Sequence, residues 1–410
     1  MAEIKSVAVI GLGYIGLPTA AILATNGVDV VGVDVNPKTV EAVSRGEVPF
    51  VEPDLGGHVS RAVSEGTLKA SLETPKADAY IVAVPTPFND DKTADLSYIE
   101  AAGAAIAPQL SGDELIILES TSPPGATQHL ADHILGLRPD LSIENLRVAH
   151  CPERVLPGRV MVELVTNDRI VGGITTAAAE AARDLYQKFC EGEILLTDAT
   201  TAEMAKLVEN SFRDVNIAFA NELSIIADKL GINVWELIEL ANHHPRVNIL
   251  QPGPGVGGHC IAVDPWFIVS SAPEEAKLIR QARVTNDAKP DWVIEQVEKA
   301  VAGVSGTAKV AVLGLAFKAN IDDLRESPAI SIAQRLGAEF GEAKFLVVEP
   351  HIDEMPKQLS GLANAELVAT GDAIEEADIV LLLVDHAQFK TIDRSTLEGK
   401  TVIDTRGMWR

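Results

Sequence analysis

Short β-branched apolar runs alternate with alanine-rich stretches over the first half of the chain. The runs fall at residues 7–10, 28–33, 79–84, 115–119, 146–150 and 169–172, and the pattern lasts to about Asp198. Such alternation predicts a doubly wound parallel sheet. A helical region follows. Thr200-x-x-Glu203 has the form of a capping box, residues 201–229 read as one helix, and Gly231 is placed to stop it. A helix of that length commonly joins domains or builds a dimer interface. Gly303-Val-Ser-Gly306 reads as a linker, after which the strand–turn–helix pattern restarts. Lys309-Val-Ala-Val-Leu-Gly-Leu-Ala-Phe echoes Lys5-Ser-Val-Ala-Val-Ile-Gly-Leu-Gly-Tyr, and further strands are predicted at 345–348, 379–384 and 402–404. The expected organisation is α/β in three parts: residues 1–198, a central long-helix part at 199–302, and a second sheet domain at 307–410.

Composition narrows what such a chain can do. At 410 residues it is long enough for two or three cores. A net charge of −25 argues against nucleic acid, because phosphate binding needs a basic face. Any anionic ligand must therefore meet a local basic island. Three cysteines, Cys151, Cys190 and Cys260, have no framework spacing and suit a reducing cytosol. Residues 6–28 lack charge, but Gly11, Gly13, Gly16 and Pro18 interrupt them, so a strand, turn and helix are expected instead of a membrane span. No basic leader with a cleavage site opens the chain, and a soluble cytoplasmic protein is expected.

Gly11-x-Gly13-x-x-Gly16 lies between an apolar strand and an alanine-rich helix, the Rossmann dinucleotide fingerprint. The first glycine permits the turn, the second admits the pyrophosphate, and the third lets helix pack on strand. The helix N-terminus then offers N–H groups and a favourable dipole. Asp34 ends the next strand, where a carboxylate binds ribose hydroxyls and repels a 2′-phosphate, so NAD is favoured over NADP. In the later echo, Ala316 and Ala319 stand where glycine is wanted, so that fold is expected to serve another ligand. Two more loops follow strand ends, Val84-Pro-Thr86-Pro87 and Glu119-Ser-Thr121-Ser-Pro-Pro-Gly125, and turn chemistry alone would explain either.

The most telling segment is Leu250-Gln-Pro-Gly-Pro-Gly-Val-Gly-Gly-His-Cys260-Ile-Ala-Val-Asp264-Pro-Trp266. A lone cysteine is most often a packed, inert thiol. Gly253, Gly255, Gly257 and Gly258 cut against that here, because they let the backbone approach a ligand and present the thiol as a nucleophile. Lys206, Asn210 and Arg213 share one face of the long helix, as a solvated polar face would also have it. His243 and His244 diverge on any regular element and have no partner ligands, so no metal is expected. His259 adjoins Cys260 too closely in sequence to face it and reads as structural.

The nucleophile loop, with Glu203-Met-Ala-Lys-Leu-Val-Glu-Asn210-Ser-Phe-Arg and Cys151-Pro-Glu153-Arg154-Val155-Leu-Pro157-Gly158, closely resembles the UDP-glucose/GDP-mannose dehydrogenase family over the whole chain. The resemblance implies an NAD-dependent four-electron oxidation of a UDP-sugar at C6, through a thiohemiacetal and thioester on Cys260, by a homodimer serving polysaccharide biosynthesis. It implies catalytic roles for Cys260, Lys206, Asn210, Asp264 and Glu153, with Asp264 pairing Lys206 and Glu153 as base for thioester hydrolysis. Tyr14, Ile15, Thr86, Thr121 and Arg325 join the glycines and Asp34 as NAD contacts. Arg154, Val155, Arg213, His244, Arg246, Gly257, Phe317, Lys318 and Arg406 join Lys206 and Asn210 as substrate contacts. Glucose-oxidising relatives carry a second acid where this chain has Pro157. The Pro-Glu-Arg-Val-x-Pro-Gly form instead resembles members acting on 2-acetamido sugars. UDP-N-acetyl-D-mannosamine is thus the first expectation, UDP-N-acetyl-D-glucosamine and UDP-glucose the alternatives. A non-catalytic nucleotide-sugar or NAD-binding regulator is the rival of another class, which loss of Cys260 or Lys206 would have favoured.

Overall fold

A computed structural model describes residues 4–409 apart from 90, 157 and 259. The chain forms two compact units, residues 1–209 with 266–273, and residues 210–265 with 274–410.

The first unit is built on β1 (Ser6–Ile10), β2 (Asp29–Val33), β3 (Leu68–Ser71), β4 (Ala79–Val82), β5 (Leu115–Leu118), β6 (Arg147–His150), β7 (Arg169–Gly173) and β8 (Ile194–Asp198). They form one sheet in the order β3-β2-β1-β4-β5-β6-β7-β8. All neighbours are parallel except β6 and β7, which run antiparallel with Ala149 opposite Gly173. The connection from β6 carries the short helix Val160–Thr166 and stays at the carboxyl end of the sheet, so β7 returns reversed. The second unit repeats the plan with β9 (Lys309–Leu313), β10 (Lys344–Val348), β11 (Ala365–Leu367), β12 (Ile379–Leu382) and β13 (Thr401–Asp404). Their order is β11-β10-β9-β12-β13, all parallel.

Alternate residues of each strand feed two cores. Val7 and Val9 pack on one face of the first sheet, Ala8 and Ile10 on the other. Val310 and Val312 separate from Ala311 and Leu313 in the same way. Both faces are covered, which is why the strands read as unbroken apolar runs. The strands absent from the predicted list confirm the point from the other side. At the sheet edges, β3 and β11 bury little, and β8 exposes Leu195 and Leu196. No helix among the described residues is long and apolar enough to cross a membrane.

The long helix runs Ala199–Leu230 and stops at Gly231, whose φ of +67° suits glycine. Its start corrects the expected capping box. Asp198 supplies the cap, accepting the Thr201 amide at 2.9 Å and its hydroxyl at 2.6 Å. Glu203 turns instead to another helix, Ala126–Leu137. Its carboxylate accepts the amides of Gly125 (2.6 Å) and Thr127 (2.7 Å) and the Thr127 hydroxyl (2.5 Å). An acid at a helix N-terminus satisfies otherwise orphaned amides and meets the favourable end of the dipole. Because Glu203 is buried, losing it strands those donors. Glu203→Ala should therefore lower stability by about 2–3 kcal/mol, and Glu203→Gln by less, in urea unfolding followed by circular dichroism.

Candidate functional site

Each glycine of the fingerprint has its own reason. Gly11 has φ +96°, and a Cβ there would lie 2.4 Å from the Ala83 carbonyl oxygen. A Cβ on Gly16 would lie 1.8 Å from the Gly11 carbonyl oxygen, whereas one on Gly13 meets nothing within 4 Å. The open space over Gly13 is what a pyrophosphate needs at the start of the helix Gly16–Thr25. Asp34 follows β2 directly, and its Oδ2 accepts the Leu12 amide at 2.9 Å while Oδ1 accepts that of Asn36 at 2.8 Å. Two amides fix the carboxylate beside the fingerprint turn. The adjoining loop holds Thr86, whose hydroxyl oxygen is buried without a hydrogen-bond partner. Thr121 is half-buried on the loop after β5, which Glu203 ties down through Gly125. Tyr14 is exposed and stacks on Phe50 with ring centroids 4.3 Å apart, and Ile15 is half-buried beside it. An open glycine, a fixed acid and an orphaned hydroxyl fit a dinucleotide.

Glu153 and Arg154 follow β6 in the same unit. Glu153 is 7% exposed, its Oε1 accepts the Arg154 amide, and its buried Oε2 has no hydrogen-bond partner, with Arg169 at 3.9 Å. Arg154 pairs with Glu209 at 2.6 Å and Val155 packs on the sheet core. Glu52 accepts the amides of Gly158 and Val160, pinning the far side of this loop. Cys151 is wholly buried, and burial pushes its thiol up to about 12. Lys206 is half-buried on the long helix.

In the second unit, the glycine loop is crowded on every side. A Cβ on Gly253 would lie 2.7 Å from the Arg406 guanidinium, on Gly255 2.9 Å from the Pro328 ring, and on Gly257 2.6 Å from the Glu326 carbonyl oxygen. Gly258 has φ +88° and its amide donates to that same carbonyl at 3.2 Å. Phe317 stands beside Gly257 and Gly258. The loop is thus seated against Arg406, Phe317 and Pro328, and at Gly257 a side chain would collide with the Glu326 backbone. Cys260 emerges exposed from it, its carbonyl accepting the amides of Val263 and Asp264. Asp264 is buried, opens the helix Asp264–Ser271, and accepts the Asn210 side-chain amide at 2.5 Å. Lys318, Arg213, His244 and Arg246 are exposed, and Arg325 pairs with Asp323 at 2.7 Å. His259 and Pro157 lie outside the described residues.

Asn221 went unnoticed in the sequence. It is buried on the long helix, its Oδ1 accepts the Gly253 amide at 2.9 Å, and its Nδ2 donates to Asn286. Glu52, Glu349 and His386 escaped notice too, because buried loop-bracing polar groups carry no spacing signal.

A dinucleotide fold followed by a second sheet of the same plan, with a thiol on a glycine loop, defines a nucleotide-dependent dehydrogenase. The chain belongs to the UDP-glucose/GDP-mannose dehydrogenase family: the family's NAD binding domain matches residues 5–190, its central domain 200–288 and its UDP binding domain 311–410. It is 57% identical to the NDP-N-acetyl-D-galactosaminuronic acid dehydrogenase of Ralstonia nicotianae, over 99% of this chain and 97% of that one. It is 53% identical to the UDP-N-acetyl-D-mannosamine dehydrogenase of Escherichia coli, over 99% of each. A UDP-D-ManNAc dehydrogenase structure from Pyrococcus horikoshii superposes with TM-score 0.87 at 38% identity, over 99% of this chain and 96% of that one. The protein is an NAD-dependent nucleotide-sugar dehydrogenase. Asp34→Asn should weaken NAD about tenfold or more, the loss of one charge-assisted hydrogen bond of about 1.5–3 kcal/mol, and narrow the preference over NADP. Both follow from steady-state kinetics with each cofactor.

Proposed function

We propose that the protein oxidises UDP-N-acetyl-D-mannosamine at C6 to the uronic acid in two steps on one bound sugar. The observation that carries this is the exposed Cys260 on a loop whose glycines are imposed by crowding. The fingerprint glycines and Asp34 would hold NAD, which would supply the hydride acceptor, one molecule of it for each of the two oxidations. Lys206 and Asn210 stabilise the oxygen at C6 as charge develops on it, and Asp264 orients the Asn210 amide that it accepts. The Cys260 thiolate adds to the aldehyde carbon and forms a thiohemiacetal, whose oxidation gives a thioester. Glu153 then takes a proton from the water that cleaves the thioester, releasing carboxylate and thiol. Its Oε2, buried without a hydrogen-bond partner, is a suitable acceptor.

Arg154 and Val155 hold the sugar, while Arg213, His244, Arg246, Lys318 and Arg406 supply the local basic surface for the diphosphate on a strongly acidic protein. Gly257 and Phe317 border the same loop, and Tyr14, Ile15, Thr86, Thr121 and Arg325 contact NAD. The parts 1–198, 199–302 and 307–410 act as NAD-binding, central and UDP-sugar-binding domains. We read the protein as a cytoplasmic homodimer. Exposed Phe212, Phe219, Ile226 and Leu230 recur on one face of the long helix and support this, because a partner helix would cover them. A second sugar is favoured by one observation: the relative at 57% identity is named for the N-acetyl-D-galactosamine series.

With the four UDP-sugars of the manno-, galacto- and gluco-N-acetyl series and glucose, the manno epimer should give the highest kcat/KM and two NADH per sugar. One NADH per sugar with free aldehyde would overturn the thiol mechanism, and a faster galacto epimer the sugar assignment. Cys260→Ser should fold, bind NAD and UDP, and lose essentially all turnover, because a serine hydroxyl is hardly ionised at neutral pH. Cys151→Ser should remain active in the same assay.

A further inference from the structure

The two sheets place matching residues at matching strand ends. Gly11 follows β1 and Gly314 follows β9; Asp34 follows β2 and Glu349 follows β10; Thr86 and His386 stand equally far past β4 and β12. In both sheets the amide after the glycine donates to the acid, Leu12 to Asp34 at 2.9 Å and Leu315 to Glu349 at 2.7 Å. From there the two diverge. Asp34 is half-buried, whereas Glu349 is 3% exposed and its Oε2 also accepts the Ala316 amide at 3.0 Å and lies 3.1 Å from His386 Nε2. The position that faces ribose in the first sheet is thus turned wholly inward in the second.

His386 is fully buried, and its Nδ1 accepts the Asn320 amide at 3.0 Å. That fixes the tautomer: Nδ1 is bare and Nε2–H donates to Glu349. Asn320 Oδ1 in turn accepts the Ala387 amide at 2.8 Å. Glu349, His351 and His386 have ligand atoms within 4.8 Å of one another, a grouping that could hold a cation. The bonds argue otherwise, since both ring nitrogens of His386 are engaged and one oxygen of Glu349 already meets three donors. The group is a brace, and what it braces is strained. Asn320 has φ +64°, which asparagine tolerates better than most residues, and Glu326 has φ +50°, a conformation that a glutamate holds only where its surroundings impose it. Just before Asn320 come Phe317 and Lys318; at the far end the Glu326 carbonyl accepts the Gly258 amide, two residues from Cys260.

We propose that Glu349 and His386 are positioning residues. Through Asn320 they hold the segment bearing Phe317 and Lys318 in the shape that receives the nucleoside-diphosphate end of the substrate, and through Glu326 they set the glycine loop. This rests on reading that segment as a substrate contact.

Calorimetry with UDP and, separately, NAD on the intact protein tests it. His386→Leu should weaken UDP at least tenfold and leave NAD within twofold. His386→Gln, whose amide can accept from Asn320 and donate to Glu349, should recover most of the loss. Asn320→Gly, which tolerates the left-handed backbone and removes only the Ala387 bond, should weaken UDP severalfold and carries the test should His386→Leu fail to fold. Wild-type UDP affinity in His386→Leu or in Asn320→Gly, or equal losses of UDP and NAD, overturns the proposal. Lys318→Ala separates the two readings. Weakened UDP there with unchanged UDP in the His386 and Asn320 variants removes the positioning role and keeps the substrate contact; the opposite result keeps the positioning role and removes Lys318 as the contact. No UDP binding by the wild type overturns both.

Discussion

A parallel sheet covered on both faces leaves its strand ends as the place where side chains can meet a ligand, and every candidate residue placed on the sheets obeys that constraint. Loops at strand ends carry unpaired amides, and something buried must accept them. Here carboxylates do so repeatedly: Asp34 and Glu349 after the second strand of each sheet, Glu203 at the helix behind the Thr121 loop, Glu52 under the Glu153 loop. Part of the acidity of this chain is therefore structural. These acids shape the loops, and others pair the cations there, as Glu209 pairs Arg154 and Asp385 pairs Arg406.

The glycine loop is held by the opposite device, close contact. Gly257 lies against the Glu326 carbonyl and Gly255 against the Pro328 ring, so the loop cannot shift toward them without collision. From the other side, Asn221 accepts the Gly253 amide and continues into a buried network of Asn286, Asp214 and Arg283. Arg283 and Asp214 are almost fully buried and 2.6 Å apart, an arrangement in which removing either partner costs far more than the pair contributes. Such a network fixes one geometry more than it adds stability.

Fold and chemistry were legible in the sequence to different depths. The apolar runs located ten of the strands, most of them because two-sided burial writes itself as consecutive apolar residues; β3, β8 and β11, at the sheet edges, bury too little to leave that mark, and the edge strand β13 was read from its sequence without such burial. The direction of β7 was not legible, since a strand's sequence does not encode which end the chain enters. Glu203 shows the limit of local patterns: the spacing of a capping box was present, yet the carboxylate caps a helix far away in the chain. Around the fingerprint and the glycine loop the sequence said most, because several of the glycines there, such as Gly11, Gly16 and Gly257, cannot take a side chain without striking backbone. It was silent on Asn221, Glu349 and His386, whose partners are backbone amides supplied by remote loops.

Burial also explains why two cysteines near strand or loop ends differ so sharply. Cys151 stands among Glu119, Glu153 and Arg169, with the guanidinium 3.6 Å from its sulfur, but burial outweighs that cation and keeps the thiol protonated. Burial likewise pushes Glu119 up to about 7, although Tyr186 and Thr19 donate to it. Cys260, by contrast, is exposed at the end of the glycine loop. Exposure there and burial at Cys151 are thus two outcomes of one principle, that a thiol becomes a nucleophile only where its anion can be solvated or paired.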